Sequence, residues 1–125
     1  MKLKVLRVVL AVATVPFFTM ADVKPAGLFM DNMVIQRDVQ APIWGWADVG
    51  EKVTVTASWG TSAEVTTDEA GKWSVKLKTP AAGGPHTITL KGKNTVEIKD
   101  VLSGDVWLCS GQSNMAWPVS KSTNP

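Results

Sequence analysis

The chain holds one cysteine and one histidine in 125 residues. A lone thiol forms neither an internal disulfide nor a zinc site built on paired cysteines. With one histidine and no carboxylates at ligand spacing, no metal is expected, and no cofactor. A basic surplus is lacking too. The formal charge is +2, but Lys2, Lys4 and Arg7, three of the 13 basic residues, fall in the first 21 positions, which leaves ten against 11 acidic side chains. A nucleic-acid partner needs a basic stripe or patch, and none is evident. The longest apolar stretch, Val8 to Phe18, is interrupted by Pro16 and falls short of the roughly 20 residues that span a bilayer. Long helical periods, internal repeats, low-complexity tracts and flexible linkers are also absent. The length suffices for one domain with a modest core but not for two.

What is present begins with a leader. Residues 1–21 combine a basic start, the apolar stretch and Thr19-Met20-Ala21, with small residues at the two positions a signal peptidase reads. The sequence predicts export to the periplasm or the extracellular space, with Asp22 as the first mature residue. No cysteine stands at the cleavage point, so neither a lipoprotein anchor nor any other stable membrane anchor is expected.

From Asp22 to Ser103 short alternating runs are separated by turn residues. Residues 23–40 read as a strand or two joined by a tight turn, with Met30 and Met33 filling core space and Arg37 and Asp38 as a solvated strand end. In residues 42–46, Trp44 and Trp46 share a face; either they close one end of a core or they stack on a sugar ring, and large aromatics more often serve the core. Residues 52–58 put Val53, Val55 and Ala57 on one side, and 61–67 form a weaker partner strand. After the turn at 68–71, residues 72–78 set Trp73, Val75 and Leu77 inside against Lys72, Ser74, Lys76 and Lys78 outside, a lysine row that reads as a solvated face. A loop over 79–85 precedes a hairpin of 86–91 and 95–99 across Gly92-Lys93-Asn94. The pattern predicts an antiparallel β-sandwich over residues 22–103. His86, at the start of a strand, reads as structural.

At residue 104 the pattern changes. Val106-Trp107-Leu108-Cys109 is a continuous apolar run, suited to a strand covered on both faces as in a parallel α/β sheet, with Cys109 a small buried hydrophobe. The polar turn Ser110-Gly111-Gln112-Ser113 follows. A hydroxyl just past the end of such a strand sits where open α/β sheets bind ligands, near the amides of a following helix. Ser113 is therefore a candidate nucleophile, provided that a base takes its proton and donors meet the developing oxyanion. The competing reading is that Ser110 or Ser113 caps a helix beginning near Asn114. The second glycine of the Gly-x-Ser-x-Gly elbow is missing, so that motif does not apply.

The string Trp107-Leu108-Cys109-Ser110-Gly111-Gln112-Ser113-Asn114-Met115, followed by Trp117-Pro118-Val119, resembles the first motif block of the sialate O-acetylesterase family, serine hydrolases of the SGNH type. The likeness extends back through Leu28-Phe29, residues 31–37, Pro42-Ile43-Trp44-Gly45-Trp46-Ala47, Gly50-Glu51-Lys52-Val53 and Gly71-Lys72-Trp73. It implies that residues 104–125 begin an SGNH-type α/β hydrolase domain, truncated here. It also implies that Ser113 attacks the acetyl carbonyl of an O-acetylated sialic acid or related saccharide, its backbone amide contributing to the oxyanion hole. The family's further glycine, asparagine and Asp-x-x-His blocks have no counterpart in this chain. Where many relatives carry an acidic residue after Ser-Asn-Met, this chain has Ala116.

The resemblance thus implies the amino-terminal portion of an exported esterase that lacks its carboxy-terminal catalytic region and has little activity by itself. Residues 104–125, without partner strands, are expected to be poorly ordered or sticky in isolation. The alternatives are an esterase for another acetylated saccharide, or a non-catalytic sandwich that binds glycans.

Overall fold

A computed structural model describes residues 22–113 and 115–122. The leader read over residues 1–21 and the candidate helix start at Asn114 lie outside the described residues. Among the described residues eight strands form two sheets: β1 (Lys24–Pro25), β2 (Val34–Gln36), β3 (Gln40–Trp46), β4 (Lys52–Ala57), β5 (Ser62–Thr66), β6 (Lys72–Lys78), β7 (Gly83–Lys91) and β8 (Thr95–Gly104). The smaller sheet has the order β1-β3-β6 and the larger β2-β8-β7-β4-β5.

Period-2 alternation builds the core. Val53, Val55 and Ala57 of β4 face Trp73, Val75 and Leu77 of β6 across the sandwich, joined by Ile43, Ile88, Leu90, Ile98 and Val101. Each fully buried Val, Leu or Ile contributes about 1.5–3 kcal/mol of transfer free energy. The lysine row of β6 points outward. Trp59 Nε1 and the Thr61 hydroxyl, on the β4–β5 connection, both donate to the Lys78 carbonyl, at 2.9 and 3.1 Å, and tie that connection to the end of β6.

The sandwich departs from the sequence reading in three places. Its strands are not all antiparallel: β2 pairs in parallel with β8, Val34 opposite Leu102 and Gln36 opposite Gly104. β2 reaches β8 from the turn at Asp31-Asn32, whose groups bond Lys99, so it enters the sheet in the direction of β8. β7 starts at Gly83, inside the expected loop, because Gly83 still pairs with Ser103. β8 runs on to Gly104 rather than stopping at Lys99. Its inward positions change from Ile98 to Val101 and Ser103 across Asp100, which has φ +54°. The β7–β8 register shifts around His86; an irregularity of this kind re-aims the side chains beyond it.

Turn chemistry fixes the connections. Asp68 Oδ1 accepts from the amides of Ala70 and Lys72 at 2.9 and 2.8 Å, closing the β5–β6 turn. Glu51 is buried, and its carboxylate takes the amides of Asp48 at 3.0 Å and Lys93 at 2.6 Å. This carboxylate joins the β3–β4 turn to the β7–β8 hairpin loop.

Candidate functional site

The chain leaves the larger sheet at Gly104 beside β2. The Arg37 amide donates to the Gly104 carbonyl at 2.9 Å, Arg37 Nε donates to Asp105 Oδ1 at 2.9 Å, and the Val106 amide donates to Gln36 Oε1 at 2.8 Å. Arg37 also meets Asp38 at 3.2 Å. The hydrogen bond to Asp105, with the charges of Asp105 and Asp38, holds the Arg37 guanidinium above its ordinary pKa. Arg37 thus tethers the exit of the chain, while its side chain and that of Asp38 remain solvated as expected.

Beyond this tether residues 105–110 form no strand. Trp107 is 85% and Leu108 93% exposed, and Cys109 is exposed as well. This corrects the reading of Val106–Cys109 as a covered strand and of Cys109 as a buried hydrophobe. Burying both faces of a strand requires neighbouring strands and covering elements, and the described residues supply neither.

Ser113 lies on the turn that follows. The Gln112 carbonyl accepts from the amides of Met115 at 3.1 Å and Ala116 at 3.2 Å. Gly111 adopts φ +148°, a conformation that L side chains rarely enter. The Ser113 residue is exposed, and among the described residues its hydroxyl has no hydrogen-bond partner. The cap reading expected a helix near Asn114; among the described residues the only helical piece here is a 3-10 turn over Val119–Lys121, without a side-chain cap. Lys121 Nζ stands 5.9 Å from the centre of the Trp117 ring.

His86 sits on β7, edge-on to the Trp59 ring with centroids 5.1 Å apart, and its Nε2 is buried without a hydrogen-bond partner. It packs as a structural residue, as read from sequence, and makes no hydrogen bond to Ser113. The described residues therefore present a serine at a turn and no base in contact with it.

Of the two readings of Trp44 and Trp46, the favoured one, closure of a core, does not hold, whereas the shared face does. Both residues lie on the outer face of the smaller sheet, since it is Ile43 and Gly45 that point inward, and Trp46 is 44% exposed. Phe29 meets Trp44 edge to face, with centroids 4.7 Å apart. The two indoles, with Asp68, Lys72 and Ser74, line an open groove of about 310 Å³. The signal that would have placed them was the burial phase of β3: Ala41, Ile43, Gly45 and Ala47 are the small or aliphatic set, and that set faces the core. Met30, read as core filling, is 59% exposed, whereas Met33 packs against the core. A second groove, of about 390 Å³, runs along β2 and β3 past Phe29, Val34, Val39 and Pro42 to Val106.

In fold the chain is similar to a carbohydrate acetylesterase. The crystal structure of a carbohydrate acetylesterase from Xanthomonas citri superposes with a TM-score of 0.71 at 39% identity, over 79% of this chain and 23% of that one. More narrowly, the chain is a homologue of the sialate O-acetylesterases. It is 42% identical to the mouse enzyme over 108 residues, 77% of this chain and 20% of that protein. It is 41% identical to the human enzyme over 105 residues, 75% of this chain and again 20% of that protein. The chain thus spans about a fifth of the length of these relatives. No family model matches it.

Proposed function

We propose that the chain is the amino-terminal part of an exported esterase that removes O-acetyl groups from sialic acids, and that Ser113 is its nucleophile. The observation that carries the proposal is the 42% identity to a sialate O-acetylesterase, joined to an exposed serine on a glycine-preceded turn. Ser113 Oγ attacks the acetyl carbonyl, and a histidine base receives its proton. The developing oxyanion takes a hydrogen bond from the Ser113 amide; its collapse breaks the ester C–O bond and expels the sugar hydroxyl, which takes the proton from the histidine, and water then hydrolyses the acetyl-enzyme to acetate. No cofactor takes part. The base, its orienting carboxylate and the remaining oxyanion donors are assigned to the part of the relatives' length that this chain does not span. Residues 104–125 belong to that hydrolase domain, and residues 22–103 are the sandwich that precedes it. The leader at residues 1–21 supports export, and the intact catalytic unit rather than this chain turns over substrate.

The test is acetate release from an O-acetylated sialic acid by a protein that carries this chain at the length of its relatives. Ser113→Ala is expected to lower turnover about 10⁴-fold or more with the fold retained. Unchanged turnover in that variant overturns the assignment of the nucleophile. The 125-residue chain alone is expected to release acetate no faster than the Ser113→Ala form.

A further inference from the structure

The outer face of the smaller sheet combines two features that the esterase reading does not use. Cross-strand register places Lys24 and Lys72 on either side of Trp46, and Ser74 opposite Trp44. Directly opposed residues in such a ladder have Cβ atoms about 4.5–5.5 Å apart. Lys76 and Lys78 continue the row along β6, so the outer face of these strands bears four lysines and no carboxylate. Among the described residues none of the four is in an ion pair, and neither Lys24 nor Lys72 stacks on the Trp46 ring. The nearest acidic group of the groove, Asp68, has Oδ1 occupied by two backbone amides. Phe29 fixes the Trp44 ring from the edge, so this indole is held in place before any ligand arrives.

An indole face offers flat apolar surface to the C–H face of a sugar ring, and ammonium groups to either side suit a carboxylate carried by that ring. We infer that this face binds an anionic saccharide, with Trp46 as the stacking platform and Lys24 and Lys72 as the charge contacts. The residues of this site lie on β1, β3 and β6, and none belongs to the Ser113 turn. It shares with the esterase reading only the class of ligand, so it stands or falls on binding and not on turnover.

Titration of the chain with sialyllactose and with neutral lactose, followed through indole and amide resonances, tests it. Sialyllactose at about 10 mM, the range of a weak single-platform contact, is expected to shift the Trp46 indole resonance. It is expected to bind about threefold to tenfold more tightly than lactose, a margin that two exposed ion pairs can supply and that rising salt removes. Trp46→Ala is expected to weaken binding of both sugars about tenfold or more; its half-exposed side chain leaves the amide spectrum otherwise native. Lys24→Ala with Lys72→Ala is expected to erase the preference for sialyllactose while lactose binding persists. Ser113→Ala changes none of these values. The proposal is overturned if neither sugar shifts Trp46, if the two sugars bind equally, or if the shifts survive Trp46→Ala. It is also overturned by broadening at Trp44 and Trp46 that grows with protein concentration in the absence of sugar, which would assign the face to a second copy of the chain.

Discussion

Replacement of Gly45 by alanine tests how closely β1 is stacked against β3. A Cβ at this position would lie 2.1 Å from the Lys24 carbonyl oxygen, 2.9 Å from Pro25 Cα and 2.7 Å from Trp73 Cζ2. Two of these atoms are backbone, and the third belongs to a core indole that is 2% exposed, so none yields by a simple rotamer change. β1 must move away. It is held by only two register pairs, by the bond from the Ala26 amide to the Trp44 carbonyl at 3.0 Å, and by the bonds of Val23 to Asn94. Overpacking of this kind costs about 1–3 kcal/mol, and each ladder bond lost adds about 1 kcal/mol. The lower unfolded-state entropy of alanine returns about 0.4–1 kcal/mol. The net expectation is a loss of about 2–4 kcal/mol, a fall in melting temperature of about 10–25 °C for a domain of this size. Thermal or urea unfolding, with Gly27→Ala as the control, reads it directly. Gly27 has nothing within 4 Å of an added Cβ, and its replacement leaves stability level or slightly raised. Equal stability of the two variants would refute the close stacking of β1 on β3.

Three further outcomes follow from individual contacts. Glu51→Ala leaves the amides of Asp48 and Lys93 without their carboxylate acceptor and is expected to cost about 2–3 kcal/mol in urea unfolding; a change below about 0.5 kcal/mol would show that water replaces it at no loss. Cys109 is exposed, so a thiol reagent is expected to modify it in the folded chain about as fast as in denaturant, and strong protection would contradict the absence of a covered strand there. The Lys52 ammonium, by hydrogen bond first and by charge second, holds the Glu64 carboxyl below the usual glutamate range. A depressed folded-state value means that the pair favours the fold at neutral pH and that this contribution is lost as pH falls through the folded-state pKa. Carboxyl resonances of Glu64 are expected to return toward the ordinary value in Lys52→Ala or at high salt; a titration that ignores both would refute the pairing.

Where one face of a strand is buried, its sequence carried the answer. Lys72 to Lys78 alternates without a fault, and β6 has those bounds with Trp73, Val75 and Leu77 inside; β4 is legible for the same reason. Legibility failed where phase or partner is set by tertiary context. β8 changes its inward phase at Asp100, so an alternation rule stops at Lys99 although the strand continues to Gly104. The parallel pairing of β2 with β8 depends on where the Asp31-Asn32 turn docks, which three residues of strand cannot encode. Trp44 and Trp46 were assigned to a common face correctly, but the choice between core and outer face leaned toward the core, because their size outweighed the small residues that actually face it. Val106 to Cys109 has the composition of a covered strand and stands exposed, since composition records what a segment is suited to bury against and not whether that partner is at hand. The proposal for Ser113 draws on the string around it, because its turn geometry alone equally suits a structural serine.

The proposed esterase chemistry depends most directly on Ser113 as a nucleophile. A fluorophosphonate probe reacts with an activated serine and leaves an ordinary surface serine untouched, because only the former has a base to take its proton. Applied to a protein that carries this chain at the length of its relatives, with the modified peptide located by mass spectrometry, it is expected to label the peptide spanning residues 107–119 at Ser113. Acetate release should then be lost in step with labelling. Labelling confined to another serine, with Ser113 unmodified and turnover abolished, would contradict the assignment.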